Sequence, residues 1–163
     1  LSLYAIGLIA GNLVNVYNGN AGKEGWEKIT LASTIGGMVI NTAGVTLAHG
    51  MEHPASGLRD IVHGKGLAAL TPAIIEASYT GNESKFADIA KLFGGKEAKD
   101  LALKIRELLK SINLNCTLSD LGIEEKDIPW MAENCMKVSA ASVANNPVVF
   151  TQEQIADIYK KAL

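Results

Sequence analysis

Apolar residues recur at helical spacing along almost the whole chain. The first stripe of this kind comprises Leu3, Ile6, Ile9, Leu13 and Tyr17. Residues three and four apart lie on one face of an α-helix, so the stripe predicts a helix with one buried face. No segment shows the sustained alternation of apolar and polar residues that is typical of a half-buried strand. The pattern predicts an all-α fold, a bundle of about seven to nine helices without a significant sheet.

Glycine, asparagine and proline divide this pattern into separate helices. The predicted helices cover roughly residues 2–17, 23–42, 60–78, 84–93, 96–112, 124–144 and 152–163. Another helix carries His49 and His53. It should end or kink at His53, because Pro54 has no backbone N–H and disfavours helix at the residue before it. Ser56 and Gly57 are then expected to make a turn. The length of the chain, without a recognisable linker, indicates one domain.

The three histidines of the chain, His49, His53 and His63, fall within fifteen residues. On a helix, His49 and His53 stand one turn apart on the same face. Gly64 and Gly66 let the backbone beside His63 approach other groups closely. A helix end, a turn and a glycine-flanked histidine can meet at one point. We therefore predict that the three rings share one cavity.

Two interpretations of this cluster stay open on spacing alone. Neutral imidazole is a common ligand of iron, zinc and copper, so the cluster can be half of a metal site. Alternatively, each histidine is a hydrogen-bonded residue of a packed helical domain. The zinc motif His-Glu-x-x-His is not present, because Glu52 does not follow His49 directly. We expect Glu52 and Asp60 to lie at the surface, with a hydrogen bond to a ligand histidine as the alternative.

Two segments around the histidines read Gly44-Val-Thr-Leu-Ala-His49-Gly-Met-Glu-His53-Pro and Asp60-Ile-Val-His63-Gly-Lys-Gly-Leu-Ala. They resemble the signature of iron-containing alcohol dehydrogenases, and the resemblance extends over essentially the whole chain. It implies that residues 1–163 are the C-terminal helical, metal-binding domain, a multi-helix bundle of the dehydroquinate synthase-like type. It also implies that an N-terminal NAD(P)-binding domain is absent from this chain.

The resemblance implies a role for several residues. His49 and His63 would be two of four metal ligands, and the other two would belong to an Asp…His segment upstream of Leu1. His53 would lie near the substrate without binding the metal, where it either relays a proton to solvent or positions the substrate. Ile40 stands where some members carry Phe near the nicotinamide, so it would contribute to cofactor binding.

The activity implied by the resemblance is metal-assisted hydride transfer between a primary alcohol or aldehyde and NAD(P). The metal would be Fe²⁺, with Zn²⁺ as an alternative. A glycerol dehydrogenase-like oxidoreductase and a helical binding module without catalysis are the competing hypotheses. Gly64-Lys-Gly66 matches neither a dinucleotide fingerprint nor a Walker loop, so we expect the isolated chain to be inactive. An N-terminal nucleotide-binding domain and a second copy of the chain are the expected protein partners.

The composition of the chain indicates which further partners are not expected. The net charge is −2 and there is no basic stripe, so nucleic acid is not an expected partner. The longest apolar runs fall short of a membrane span, so no membrane is expected either. No signal peptide is recognisable before the first helix, which leads us to expect a cytoplasmic protein. We expect Cys116 and Cys135 to be reduced thiols in that compartment.

Overall fold

The computed structural model describes residues 1–163 and contains helices but no strands. The α-helices are α1 (Ser2–Tyr17), α2 (Gly22–Ala43), α3 (Leu47–Arg59), α4 (His63–Ser78), α5 (Glu83–Leu92), α6 (Leu101–Ser111), α7 (Ile128–Val138), α8 (Ala140–Ala144) and α9 (Gln152–Ala162). Four single-turn 3₁₀ helices span Tyr79–Gly81, Ala98–Asp100, Ser119–Leu121 and Glu125–Asp127. The predicted all-α fold with seven to nine helices is therefore confirmed, since the structure has nine α-helices.

The helices form two compact units. The first unit consists of Leu1–Gly44 and Glu83–Asn113, and it contains α1, α2, α5 and α6. The second unit consists of Val45–Asn82 and Leu114–Leu163, and it contains the remaining five α-helices. All three histidines belong to the second unit.

In the first unit, α1 and α2 pack against each other through a small apolar cluster. Its buried members are Ala5, Ala32 and Ile35, and Leu8, Ile9 and Val39 pack partly buried against them. Several large apolar side chains of the same two helices stay exposed, namely Leu3, Tyr4, Tyr17, Trp26, Leu31, Met38 and Ile40. No single helix of the chain is long and apolar enough to cross a bilayer, and α2 and α3 meet that criterion only when counted together as a bent pair.

In the second unit, α3 contacts α4, α7 and α8. Its residues Leu47, Met51 and Ala55 have no solvent exposure and belong to the main apolar core. Tyr159 of α9 is also fully buried, and its hydroxyl donates a hydrogen bond of 2.5 Å to the carbonyl of Met51. Thr151 and Gln154 form a capping box at the beginning of α9.

The predicted helix end at His53 and the predicted turn at Ser56 and Gly57 are wrong. The helix α3 runs through Pro54 and ends at Arg59, followed by Asp60 in the left-handed conformation with φ of 50°. Pro54 removes one backbone hydrogen bond, but it lies buried on the same helix. Packing of that buried face keeps the helix continuous, because the lost hydrogen bond is a smaller effect than the apolar surface that α3 removes from water.

The predicted helix over residues 124–144 is interrupted at Ser139, which separates α7 from α8. The apolar periodicity of the sequence does not reveal the interruption, because α7 and α8 bury Cys135 and Val143 in the same core. Gly50 of α3 lies close to this junction. A Cβ atom added at Gly50 would stand 3.2 Å from the Cβ of Ser139 and 3.5 Å from Sγ of Cys135. The absence of a side chain at Gly50 thus allows α3 to approach the junction.

Candidate metal centre

The three histidine rings converge at the junction of α3 and α4. His49 and His53 lie one turn apart on α3, and His63 is the first residue of α4. The ring centroids are 5.0 Å apart for His49 and His63, 6.0 Å for His53 and His63, and 6.1 Å for His49 and His53. The predicted convergence is confirmed. The chain reverses at Asp60, however, and not at Pro54 as the sequence suggested.

Glu52 lies beneath the histidines and its side chain has no solvent exposure. Its Oε2 atom is 2.5 Å from Nδ1 of His63, and its Oε1 atom accepts a hydrogen bond from the hydroxyl of Ser56. The predicted surface position of Glu52 is therefore wrong, and the alternative of a hydrogen bond to a histidine is what the structure shows. A buried carboxylate requires such partners, because an unpaired charge away from water is strongly unfavourable.

This contact bears on which nitrogen of His63 carries a proton. An ionised carboxylate only accepts hydrogen bonds, so with Glu52 ionised the donor in this contact is Nδ1 of His63. A neutral imidazole has one protonated nitrogen, and Nε2 is then left with its lone pair. In the neutral ring of His63, Nε2 is thus the nitrogen that can bind a metal.

Space for Glu52 depends on Gly66, one turn into α4. A Cβ atom added at Gly66 would stand 2.7 Å from Oε1 and 2.8 Å from Cγ of Glu52, closer than real contacts allow. The sequence indicated a close backbone approach at this glycine, but not which group approaches it. One other feature of the sequence bears on the position of the Glu52 carboxylate. Glu52 and Ser56 stand four residues apart, so they share one helix face.

The electrostatic environment of His49 favours its neutral form. Partial burial lowers the pKa of His49 most, and the neighbouring rings of His63 and His53 lower it further when they are charged. The carboxylate of Glu52 acts in the opposite direction with the smallest effect. A lowered pKa keeps the imidazole unprotonated to lower pH, and only an unprotonated nitrogen binds a metal.

The donor chemistry of the cluster fits part of the ligand shell of a first-row divalent metal. No three His, Cys, Asp or Glu side chains of the chain are arranged so that they could hold a metal ion together. A metal bound through His49 and His63 therefore requires further ligands besides this pair, since zinc and iron sites take four or more.

Ile40, the residue predicted to contact a nicotinamide, belongs to the first unit. It lies on α2 and half of its surface is exposed. Arg59 stands near the end of α3, where its Nη2 is 2.6 Å from Oδ2 of Asp127 and its Nε donates to the carbonyl of Gly122 at 2.8 Å. These two contacts tie the end of α3 to the segment before α7.

The fold and the site define a class of protein, namely an all-helical chain that brings three histidines together. A sequence profile described as the Fe-containing alcohol dehydrogenase family, C-terminal part, matches residues 1–163. The chain belongs to the iron-containing alcohol dehydrogenase family.

Individual relatives agree with this assignment. The chain is 35% identical to a 1,3-propanediol dehydrogenase of Klebsiella pneumoniae, covering 99% of the chain and 43% of the relative. It is 30% identical to the lactaldehyde reductase of Escherichia coli (strain K12), covering 99% of the chain and 44% of the relative. The chain thus spans less than half the length of the curated relatives that it matches.

Solved structures show the same relation. A 1,3-propanediol oxidoreductase superposes with a TM-score of 0.89 at 34% identity, covering 99% of the chain and 44% of that structure. An archaeal halo-thermophilic alcohol dehydrogenase from a Red Sea brine pool gives a TM-score of 0.90 at 29% identity, covering 99% and 43%. The helical fold of this chain is therefore that of part of a larger alcohol dehydrogenase.

Proposed function

We propose that this chain supplies the metal-binding helical domain of an NAD(P)-dependent alcohol dehydrogenase. Residues 1–163 act as the C-terminal domain, and a nucleotide-binding domain elsewhere in the protein binds NAD(P). The observation that carries the proposal is the approach of His49 and His63, whose ring centroids are 5.0 Å apart, in a chain of this family. The contact with Glu52 supports it, because a proton held on Nδ1 leaves Nε2 of a neutral His63 ring free to bind a metal.

His49 and His63 would hold the metal, which we propose to be Fe²⁺, with Zn²⁺ as an alternative. When bound, such a metal supplies Lewis acidity towards the oxygen of an alcohol or aldehyde. The two histidines come from different helices, and each helix is held by the apolar core of the second unit. Packing therefore sets the distance between the two ligands before any metal arrives.

His53 would transfer a proton between the substrate site and solvent. Its ring lies about 6 Å from those of the other two histidines, and the residue is exposed. Exposure gives the ring direct contact with water, and an imidazole can act as a general acid or base. Positioning of the substrate is the alternative role, and it would leave the pH dependence of the rate unchanged.

The substrate we propose is a small primary alcohol or its aldehyde. The support is that relatives at 30% identity or more are named for 1,3-propanediol and lactaldehyde. Ile40 would contribute an apolar surface to the nicotinamide. A homo-oligomeric assembly and a cytoplasmic location remain further predictions from the sequence.

The test uses the complete protein that contains this chain and measures metal content and NAD(P)-linked turnover together. His49→Ala and His63→Ala are each expected to lose bound metal and activity. His53→Ala is expected to keep the metal while turnover falls by about 10²–10⁴-fold, the usual contribution of a positioned acid or base. His49→Ala protein that retained metal and full turnover would contradict the proposed ligands. A helical module without catalysis would show no turnover in the unmodified protein.

A further inference from the structure

Glu52 is the only charged residue among the buried polar residues of the chain. The others are Ser78, Ser139 and Asn146. Removing a carboxylate from water is costly unless hydrogen bonds replace its hydration, so a fully buried one at this position requires an explanation. If this position only filled space in the core, an apolar residue of similar volume would be more favourable there than a carboxylate.

The surroundings of Glu52 leave both carboxylate oxygens occupied. Oε1 accepts from Ser56, four residues along α3, and Oε2 accepts from Nδ1 of His63 on α4. No buried polar side-chain atom of the chain lacks a hydrogen-bond partner. Because Ser56 and the crowded position at Gly66 restrict the carboxylate, it can in turn restrict the ring of His63.

We propose that Glu52 is a positioning residue that holds His63 in the tautomer with Nδ1 protonated and orients Nε2 as a metal ligand. This inference rests on the proposed function of His63. A carboxylate behind a ligand imidazole fixes the ring and increases the electron density at the ligating nitrogen. Ser56 supports the same arrangement one step further away, because it keeps the carboxylate in place.

The first test measures the tautomer of His63 by NMR in metal-free protein with ¹⁵N-labelled histidine. The spectra are recorded at about pH 8.5, where an ordinary imidazole is neutral. The His63→Ala spectrum assigns the His63 signals. We expect the proton of His63 on Nδ1 in the unmodified protein and a mixture of tautomers in Glu52→Ala. A His63 ring with its proton on Nε2 in the unmodified protein would overturn the inference without any variant.

The second test measures the affinity of the complete protein that contains this chain for Co²⁺ as a spectroscopic substitute for iron. Glu52→Ala is expected to weaken binding about 10–100-fold, the usual cost of removing a residue that supports a metal ligand. Glu52→Gln preserves shape and an acceptor oxygen, so it should fold and bind with intermediate affinity. Glu133→Ala removes an exposed carboxylate from α7 of the same unit and is the matched control, with unchanged affinity expected.

The outcomes separate this inference from the proposed function. Equal affinities for the unmodified protein and Glu52→Gln, with no binding by His63→Ala, would overturn the positioning role alone. An unmodified protein that bound no metal would overturn the proposed function and this inference with it. If Glu52→Ala does not fold, the tautomer of the unmodified protein and the affinity of Glu52→Gln decide the question.

Discussion

At the scale of single residues, burial gives the two cysteines of the chain different chemical properties. Cys135 of α7 has no solvent exposure, whereas Cys116 is partly buried. Burial raises the pKa of the Cys135 thiol to about 11, because the thiolate would lose its hydration. The two thiols should therefore differ in reactivity, since the thiolate is the nucleophile.

Alkylation tests this difference directly. At about pH 8 and under native conditions, iodoacetamide is expected to modify Cys116 and to leave Cys135 unmodified. Both should react once the protein is unfolded in guanidinium chloride. Peptide mass spectrometry at successive times measures each site. If Cys135 were modified as fast as Cys116 in the folded protein, the burial of Cys135 would be contradicted.

Two glycines in the first turn of α4 offer a matched comparison. Gly66→Ala should lower the free energy of unfolding by about 1–3 kcal/mol, because its Cβ collides with Glu52. Gly64→Ala meets nothing within 4 Å and should be neutral or stabilise by up to about 1 kcal/mol, since alanine favours helix. Urea unfolding of the two variants provides the measurement. Equal stability of both would mean that Glu52 moves aside at little cost.

At the scale of helices, single hydrogen bonds join elements that are distant in the chain. The hydroxyl of Tyr159 on α9 reaches the carbonyl of Met51 on α3, and both residues are fully buried. Burial raises the pKa of Tyr159 far above its usual range, which favours the protonated hydroxyl that donates this bond. The bond therefore links α9 to the helix that carries His49 and His53.

Replacing Tyr159 by phenylalanine removes the hydroxyl and keeps the ring. The expected loss is about 1 kcal/mol in the free energy of unfolding, the usual net value of one buried hydrogen bond. Tyr4→Phe removes an exposed hydroxyl from α1 and should change stability by less than about 0.5 kcal/mol. Thermal and urea unfolding compare the two variants. A larger effect at Tyr4 than at Tyr159 would contradict the assigned role of the bond.

At the scale of the whole molecule, the chain covers less than half of the 1,3-propanediol dehydrogenase and of the lactaldehyde reductase that it resembles, and no three of its side chains can hold a metal together. We therefore predict that the 163-residue chain alone shows no NAD(P)-linked alcohol oxidation with added Fe²⁺ or Zn²⁺. Absorbance of the reduced nicotinamide measures this, and the complete protein is the positive control. Turnover by the chain alone at the rate of the complete protein would contradict the prediction.

Helices and their buried faces were predictable because helical periodicity is a local property of the sequence. The convergence of His63 on the other two histidines was expected from a turn after Pro54, whereas the chain reverses at Asp60. The stripe of α1 and the helix face shared by His49 and His53 followed from spacing. The continuity of α3 through Pro54 did not. A rule based on neighbouring residues accounts only for the hydrogen bond that Pro54 removes. In the folded protein, the burial of a whole face of α3 outweighs that loss.

The sequence by itself determined the fold class, the clustering of three histidines and the resemblance to a metal-dependent enzyme family. Only the tertiary structure decided that Glu52 is buried beneath His63. Its burial depends on the packing of α4 at Gly66 and on the hydroxyl of Ser56. A charged residue is ordinarily predicted to be exposed, because the hydrogen bonds that compensate its burial come from residues brought together only by folding.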